Sequence, residues 1–598
     1  MEPTDIKNPE YFHKVVDCQY ACPAHTPVPE YIRLIAAGDY TAAYMINWDS
    51  NVFPGVLGRT CDRPCEPACR RGRIEKEPVA ICRLKRVAAD NKGDVKSLMP
   101  KGPFKSNGKK IALVGAGPAS LTVAKDLAPL GYEIHLFDEL KAGGGFMRSQ
   151  IPSFRLPEIV LDEEVNFILD LGIHTHFNHY VKSLHELLNM DYEAVFVGSG
   201  APKGRDLEIP GRKEAATHFH IGINWLANVA FEHTAKIGKK VIVLGGGNTA
   251  MDCCRTSRRL GGEEVKVVVR SPFAEMKASP WEKEDAIHED IPIIDNHVPK
   301  SFVIEGGTLK GMTFEKVKAE YENGKRKLVP VGGEDVFIEA DDVLCAIGQE
   351  NSFPWIERNI GIEFDKWEMP VVNEVTFQST HKKVFFGGDA AFGPKNVITA
   401  VAHGHQAAIS IHLQCVGMDV IKDRPSPMVN LTNMKMGIHE WGYDSEVAND
   451  ERFIVPQADK KLTLTNRKKE VELGFSKDTG FSEAQRCLNC DVQTIFSESK
   501  CIECDACMDV CPTACITFTE NNTEEILRND LKAPSKNKQQ DLYVSDVLHT
   551  KRVMVKDENV CLHCGLCAER CPTSAWDMQQ FFYNVTKAGK ICQEAILK

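Results

Sequence analysis

Cysteine is the residue whose type and spacing carry most chemistry in this sequence, at 22 in 598 residues. Eight form two runs, Cys501-x2-Cys504-x2-Cys507-x3-Cys511-Pro512 and Cys561-x2-Cys564-x2-Cys567-x3-Cys571-Pro572. Thiolates are the ligands that iron–sulfur clusters require, and in runs of this spacing the fourth cysteine ligates the other cluster. The pattern assigns Cys501, Cys504, Cys507 and Cys571 to one [4Fe–4S] cluster. Cys561, Cys564, Cys567 and Cys511 hold a second. Zinc binding is the competing reading, and two complete copies, each followed by proline, weigh against it. Cys515 and Cys592 have no place in the pattern and read as non-ligands.

A second group lies near the start: Cys18-x3-Cys22-Pro23, then Cys61-x3-Cys65-x3-Cys69, then Cys82. Between the groups the cysteines are sparse. Such clustering in a long chain favours metal centres in a reducing compartment over disulfides. Met1–Lys14 is polar and partly acidic, unlike a signal peptide, so a cytoplasmic protein is expected. A net charge of -11 argues against nucleic acid as a partner. No apolar run approaches the roughly 18 residues that a membrane span needs.

Two glycine loops supply the other chemistry. Gly115-x-Gly117-x-x-Ser120 joins a strand-like run, Ile111–Val114, to a helical pattern. The glycines permit a tight turn and close approach of a pyrophosphate to a helix N-terminus. Ser120 replaces the usual glycine or alanine. The next strand ends at Asp138, where an acid takes ribose hydroxyls. The second loop is Gly245-Gly-Gly247-Asn248-Thr249-Ala250, again strand, turn and helix. Two such folds suggest two dinucleotides.

These sites need sheets to hold them. Apolar runs at Ile111–Val114, Ile134–Phe137, Val195–Val197, Val241–Leu244, Val265–Val269, Val343–Ile347 and Val384–Phe386 alternate with helical patterns. That alternation predicts two Rossmann-like α/β folds with parallel sheets. A helical iron–sulfur domain is expected over 1–105. A first dinucleotide-binding domain follows over 106–225 and 340–418, the one that the resemblance given below makes an FAD-binding domain, interrupted by a second nucleotide domain over 226–339. Residues 419–492 form a linker, and an α+β ferredoxin-like domain covers 493–598. The polar stretch Asn521–Gln540 reads as an exposed insertion.

The middle resembles the glutamate synthase small-subunit family, within the flavoprotein disulfide reductase-like folds. The matches are GAGPASL at 115–121, FDELKAGGGF at 137–146, IPSFRLP at 151–157, GGGNTAMD at 245–252, AIGQ at 346–349 and FGGDAAFGPKNVITAVAHGHQAA at 386–408. The resemblance implies FAD on the first loop, with Gly115, Gly117, Ser120, Asp138, Gly144, Gly145, Arg155, Gly200, Gly388, Asp389, Asn396 and Val397 around it. It implies NAD(P)H on the second, at Gly245, Gly247, Asn248, Thr249 and Arg270. No C-x2-C dithiol lies in the flavin region, and the adjacent Cys253 and Cys254 read as packing residues.

The N-terminal cysteines resemble the iron–sulfur domain shared by that family and dihydropyrimidine dehydrogenase. The R-C-x2-C pair that normally precedes Cys18 is absent from Met1–Asp17 and occurs instead at Arg486-Cys487-x2-Cys490. The resemblance then gives one cluster on Cys18, Cys69, Cys487 and Cys490, and another on Cys22, Cys61, Cys65 and a fourth ligand. Lys85 stands where relatives place a Glu or Gln ligand, and Cys82, one helical turn earlier, is the substitute. The alternative is that Cys82 is packing.

Together the loops and the cysteine sets imply FAD, four [4Fe–4S] clusters and an electron-transfer role. NADPH-using relatives resemble one another in a Y-R-R-S-R-E-E-M pattern after the nucleotide strand. Here only Arg270 of its arginines remains, with Ser271 and Phe273 in place of the others. NADH is therefore favoured, unless Arg255, Arg258 and Arg259 compensate. Expected partners are ferredoxin or other subunits, such as a 2-oxoacid:ferredoxin oxidoreductase or a low-potential reductase. A glutamate synthase small subunit and a non-catalytic scaffold are the competing functions. The appended ferredoxin module weighs against the former and the intact loops against the latter.

Overall fold

The computed structural model describes residues 1–598 except 75–76, 103, 324, 434–449, 536 and 590–598. Cys592 lies outside the described residues. The chain forms two compact units. One comprises Met1–Leu98, Lys422–Val455 and Gly474–Lys598, and the other Met99–Ile421 and Pro456–Leu473.

In the second unit the apolar runs are strands. Val384–Phe386, Ala194–Val197, Lys110–Val114, Glu133–Phe137 and His174–His176 lie side by side, in that order, in a five-stranded sheet. Every pairing in it is parallel. Residues 111–114 are buried in succession rather than alternately, because a sheet covered on both faces has no wet side. Phe219–Ile221, Asp342–Cys345, Lys240–Leu244, Glu264–Val268 and Ile293–Ile294 make a second five-stranded parallel sheet. The strands 219–221 and 342–345 thus belong to this sheet, so the nucleotide fold extends past 226–339 on both sides. An apolar run reports burial but not which sheet it joins. Four antiparallel strands, His297–Glu305, Thr308–Glu322, Lys325–Pro330 and Val336–Glu339, complete the unit's main sheets.

The first unit begins with short helices. Val28–Ala36 buries Val28, Tyr31, Ile32 and Ile35, a stripe at helical spacing. It packs on Tyr40–Asn51, Ile81–Asn91 and Lys477–Ala484. Met428–Asn433, Trp576–Asn584 and Val492–Phe496 form one antiparallel sheet, and Ile516–Glu520, Arg552–Lys556 and Tyr543–Val544 another. The helices Ala506–Val510 and Leu566–Arg570, which carry Cys507 and Cys567, pack on each other.

The polar stretch 521–540 is not simply an exposed insertion. It contains the helix Glu524–Asp530, whose Leu527 is fully buried against Leu542, Val544, Val553 and Val555. Among the described residues no helix is long and apolar enough to cross a membrane.

Candidate functional site

Strand Lys110–Val114 runs into Gly115, whose φ is +90° and whose Cβ, were there one, would sit 2.7 Å from the Gly198 carbonyl oxygen. Only glycine fits that turn. Helix Pro118–Leu127 follows, with Pro118 at its first position. Its first-turn N–H groups have no intrahelical acceptors, the arrangement that receives a pyrophosphate. Asp138 closes the loop from the next strand. Its carboxylate accepts from the N–H of Ala116 at 2.6 Å and of Leu140 at 2.8 Å, and burial pushes its pKa up. The hydroxyls of Ser120 and Ser199 are buried beside the loop without hydrogen-bond partners, as expected where a polar ligand belongs.

The other flavin candidates fall unevenly. Gly144 and Gly145 lie in the loop before helix Phe146–Ser149, and Gly145 approaches Gly117 closely. Gly200 faces the Phe146 ring. Gly388 precedes Asp389, whose carboxylate accepts from the Lys395 N–H at 2.9 Å and is pushed up by burial. Asn396 caps helix Val397–Cys415, accepting from the Thr399 N–H at 3.0 Å, and Val397 opens that helix. Arg155 pairs with Asp252 at 2.6 Å and with Glu282, both beyond the second loop in sequence.

The second loop repeats the first. Strand Lys240–Leu244 enters Gly245, with φ +134° and a would-be Cβ 2.2 Å from the Ala346 carbonyl oxygen. Nothing stands within 4 Å of a Cβ placed on Gly247, so the loop keeps an open face. Thr249 is half-buried in the first turn of helix Asn248–Arg259. The Asn248 carboxamide takes the Ser279 N–H at 2.9 Å. Arg270 is exposed beyond strand Glu264–Val268. The neighbouring arginines are held inside: Arg255 by Asp285 at 2.8 Å and Glu289 at 2.9 Å, and Arg259 by Glu289 at 2.7 Å. Arg258 donates to the carbonyls of Gly262 and Glu263. These contacts leave Arg270 as the candidate for a 2′-phosphate.

In the first unit, one cavity is lined by Cys18, Cys69, Cys487 and Cys490 together with Arg71 and Ile81. Burial, followed by neighbouring Cys69, Cys490 and Cys487, pushes the Cys18 thiol up. Arg486 fastens the late pair there. It is fully buried, bonded to Glu483 at 2.8 Å and to the carbonyls of Glu77 and Pro78.

Cys22, Cys61, Cys65 and Cys82 also meet. The Cys61 thiol is hydrogen-bonded to Cys82, which this bond, with nearby Arg63, Arg83 and Lys85, lowers to about 6. Glu66 orders the turn by accepting the Cys82 N–H at 3.0 Å. Lys85 is buried among the four thiols. Burial opposes its charge, while Cys61, Cys82, Cys22 and Cys65 hold its pKa up. Four thiols beside a buried cation fit a cluster whose sulfurs are anionic.

In the ferredoxin-like part the neighbours cross over. Burial raises Cys501 and Cys507, and Cys571 adds to both. Cys564 is raised by burial and then by Cys561 and Cys511. Sequence reasoning missed what surrounds these thiols. Cys515 lies 3.4 Å from Cys511. Lys556, Glu558 and His563 form a fully buried chain, with Lys556 2.8 Å and His563 3.0 Å from the Glu558 carboxylate. Lys556 and His563 hold Glu558 down at about 2 despite its burial. The one legible sign was a histidine between two ligands, in Cys561-x-His563-Cys564.

Known proteins resemble the chain along the same division. Residues 109–404 match the pyridine nucleotide-disulphide oxidoreductase family, 13–96 the dihydropyrimidine dehydrogenase domain II, 4Fe-4S cluster family, and 500–575 the 4Fe-4S dicluster domain family. The NADP(+)-dependent formate dehydrogenase subunit beta of Moorella thermoacetica is 34% identical, over 79% of this chain and 70% of its own. The NADPH-Fe(3+) oxidoreductase subunit beta of Geobacter sulfurreducens is 30% identical, over 81% and 77%. The glutamate synthase [NADPH] small chain of Azospirillum brasilense is 30% identical, over 66% and 85%. A thioredoxin reductase of T. acidophilum aligns at 19% identity and TM-score 0.42, covering 52% of this chain and 100% of that one. With relatives this alike over most of their length, the chain belongs to the glutamate synthase small-chain family of NAD(P)H-dependent flavin and iron–sulfur oxidoreductases, in a form that also carries a dicluster ferredoxin domain.

Proposed function

We propose that the chain is an electron-transfer subunit linking NAD(P)H to ferredoxin or to a low-potential partner enzyme, such as a 2-oxoacid:ferredoxin oxidoreductase. The observation that carries this reading is a family flavoprotein part joined in one chain to a dicluster ferredoxin domain. A flavin, when bound, accepts a hydride and releases its electrons singly, which is what iron–sulfur centres can take. The chain's residues have the complementary task of holding cofactors in place. The two glycine loops, with Asp138 and Asp389, receive FAD and the nicotinamide nucleotide. The four thiol sets are Cys18, Cys69, Cys487, Cys490; Cys22, Cys61, Cys65, Cys82; Cys501, Cys504, Cys507, Cys571; and Cys561, Cys564, Cys567, Cys511.

NADH is the favoured nucleotide. The support is the lone Arg270 and the carboxylates that occupy Arg255 and Arg259. The relatives' names point the other way, to NADP(H), and kinetics with each nucleotide decides between them. Two of these relatives are named as subunits, which supports a complex rather than a stand-alone enzyme.

Anaerobic purification from the native host tests the whole reading. The expected preparation contains FAD, about sixteen irons per chain from four clusters, and a co-purifying oxidoreductase subunit. NADH or NADPH bleaches its flavin. A preparation at full flavin that holds only about eight irons, or that neither nucleotide bleaches, overturns it. A co-purifying glutaminase-bearing large subunit would assign the chain to glutamate synthase instead.

A further inference from the structure

Arg70 follows Cys69 directly, and His563 lies between Cys561 and Cys564. The two side chains meet, Arg70 Nη1 lying 3.2 Å from His563 Nε2. Arg70 Nη1 also donates to the Cys561 carbonyl at 2.8 Å and to the Glu558 carbonyl at 2.7 Å. Its other nitrogens are fixed by Asp17 at 2.5 Å and the Val15 carbonyl at 2.7 Å. From the opposite side, the His563 backbone N–H lies 3.3 Å from the Cys561 sulfur, and its ring Nδ1 lies 3.0 Å from the Cys490 carbonyl. Arg70 and His563 are both buried. Each therefore touches one thiol loop through its own backbone and the other through its side chain.

Glu558, Cys561 and His563 also bring three ligand atoms within 4.8 Å of one another. That cluster does not read as a separate metal site, because both His563 nitrogens already face other groups: the Cys490 carbonyl on one side, and Glu558 and Arg70 on the other.

We infer that Arg70 and His563 form the junction through which the centre held by Cys18, Cys69, Cys487 and Cys490 exchanges electrons with the centre held by Cys561, Cys564, Cys567 and Cys511. The inference rests on the proposed electron-transfer function and adds an internal route to it. One electron leaves the first centre, which is oxidised by one, and enters the second, which is reduced by one. No bond or proton moves, and NAD(P)H supplies the electrons in pairs as hydride. The two residues act as positioning residues: they clamp the Cys69 and Cys490 segments onto the Cys561 loop. A charge-assisted, fully desolvated arginine with several carbonyl acceptors is a stiff clamp, because each unmade bond would leave a buried donor unsatisfied.

The test uses anaerobic holoprotein with full iron and flavin. In low-temperature electron paramagnetic resonance of the reduced protein, the Cys18–Cys69 centre is expected to be broadened by its neighbour, and Cys564→Ser should remove that broadening. In stopped-flow reduction by NAD(P)H, His563→Leu is expected to keep flavin bleaching and iron content while slowing reduction of the ferredoxin-type centres at least tenfold. His563→Gln, which restores a donor toward the Cys490 carbonyl, should recover most of the rate. If the leucine variant loses iron, the comparison rests on the glutamine variant and on Arg70→Lys. Absence of broadening in the wild type, or a wild-type rate in iron-replete His563→Leu, overturns the junction. Failure of NAD(P)H to bleach the flavin would instead sink the functional reading itself.

Discussion

Arg33 grips Asp491 with both terminal guanidinium nitrogens, Nη1 at 2.7 Å and Nη2 at 2.5 Å, although the two lie 458 positions apart in the chain. Asp491 follows Cys490, so the pair pins the late cysteines to helix Val28–Ala36. A charged hydrogen bond of this kind contributes roughly 1.5–3 kcal/mol. Asp491→Ala is expected to leave the fold and the flavin in place but to release one cluster, lowering iron from about sixteen to about twelve per chain. An iron-to-flavin ratio equal to wild type would show that the pair does not hold the site.

Lys85 and Cys82 make a prediction about potential. A buried cation stabilises the more negative, reduced form of a nearby cluster and so raises its reduction potential. Lys85→Gln should lower the potential of one centre by on the order of 50–100 mV, taking a unit charge at an effective dielectric near 20. Cys82→Ala should remove that centre or change its signal. Potentiometric titration followed by paramagnetic resonance reads both. A Lys85→Gln titration superimposable on wild type would show that Lys85 does not act on any cluster.

Nucleotide choice turns on Ser271 and Phe273. Installing arginine at both positions rebuilds the cationic set beside Arg270. Each new charge-assisted bond to a 2′-phosphate contributes about 1.5–3 kcal/mol, so kcat/KM for NADPH should rise at least tenfold while that for NADH changes little. Steady-state viologen reduction measures it. A wild-type preference for NADPH of tenfold or more would refute the reading from the arginines.

His403 predicts a dependence on pH. It is packed against Phe377 and Phe392, and burial, with Lys395 nearby, lowers it to about 4. A depressed histidine pKa contributes stability that is present above about 6.5, its unfolded value, and is lost as pH falls toward 4. The loss should amount to on the order of 2–3 kcal/mol, less whatever solvent screening removes. The flavin-release temperature should therefore drop between pH 7 and pH 4.5, and His403→Phe should flatten that drop. Parallel curves for the two proteins would place the transition in another group.

Some of this was legible from the chain alone because the chemistry admits few residues. Gly115 and Gly245 sit where a Cβ would strike a carbonyl oxygen, so nothing but glycine can mark those turns. Thiol spacing is similarly restrictive. Arg155 shows what the sequence leaves out: its partners Asp252 and Glu282 come from a different fold, and a sequence does not display pairings across folds. The strands Phe219–Ile221 and Ile293–Ile294 were illegible for another reason. They are too short, at three and two residues, to show a period. Arg70 and Lys556 look like ordinary surface residues in the sequence, and their burial follows from tertiary packing.

The cavity shared by Cys18, Cys69, Cys487 and Cys490 sets a timetable for biosynthesis. Its first cysteine leaves the ribosome long before its last two, and at roughly 5–20 residues per second the wait is on the order of half a minute or more. During that interval Cys18 and Cys69 face the cell without Cys487 and Cys490. Assembly of a centre on these four cysteines would thus begin only late in synthesis, after the flavoprotein segment 99–421 has left the ribosome. The supply of iron and sulfide while Cys18 and Cys69 stand alone should matter less than its supply once Cys487 and Cys490 have joined them.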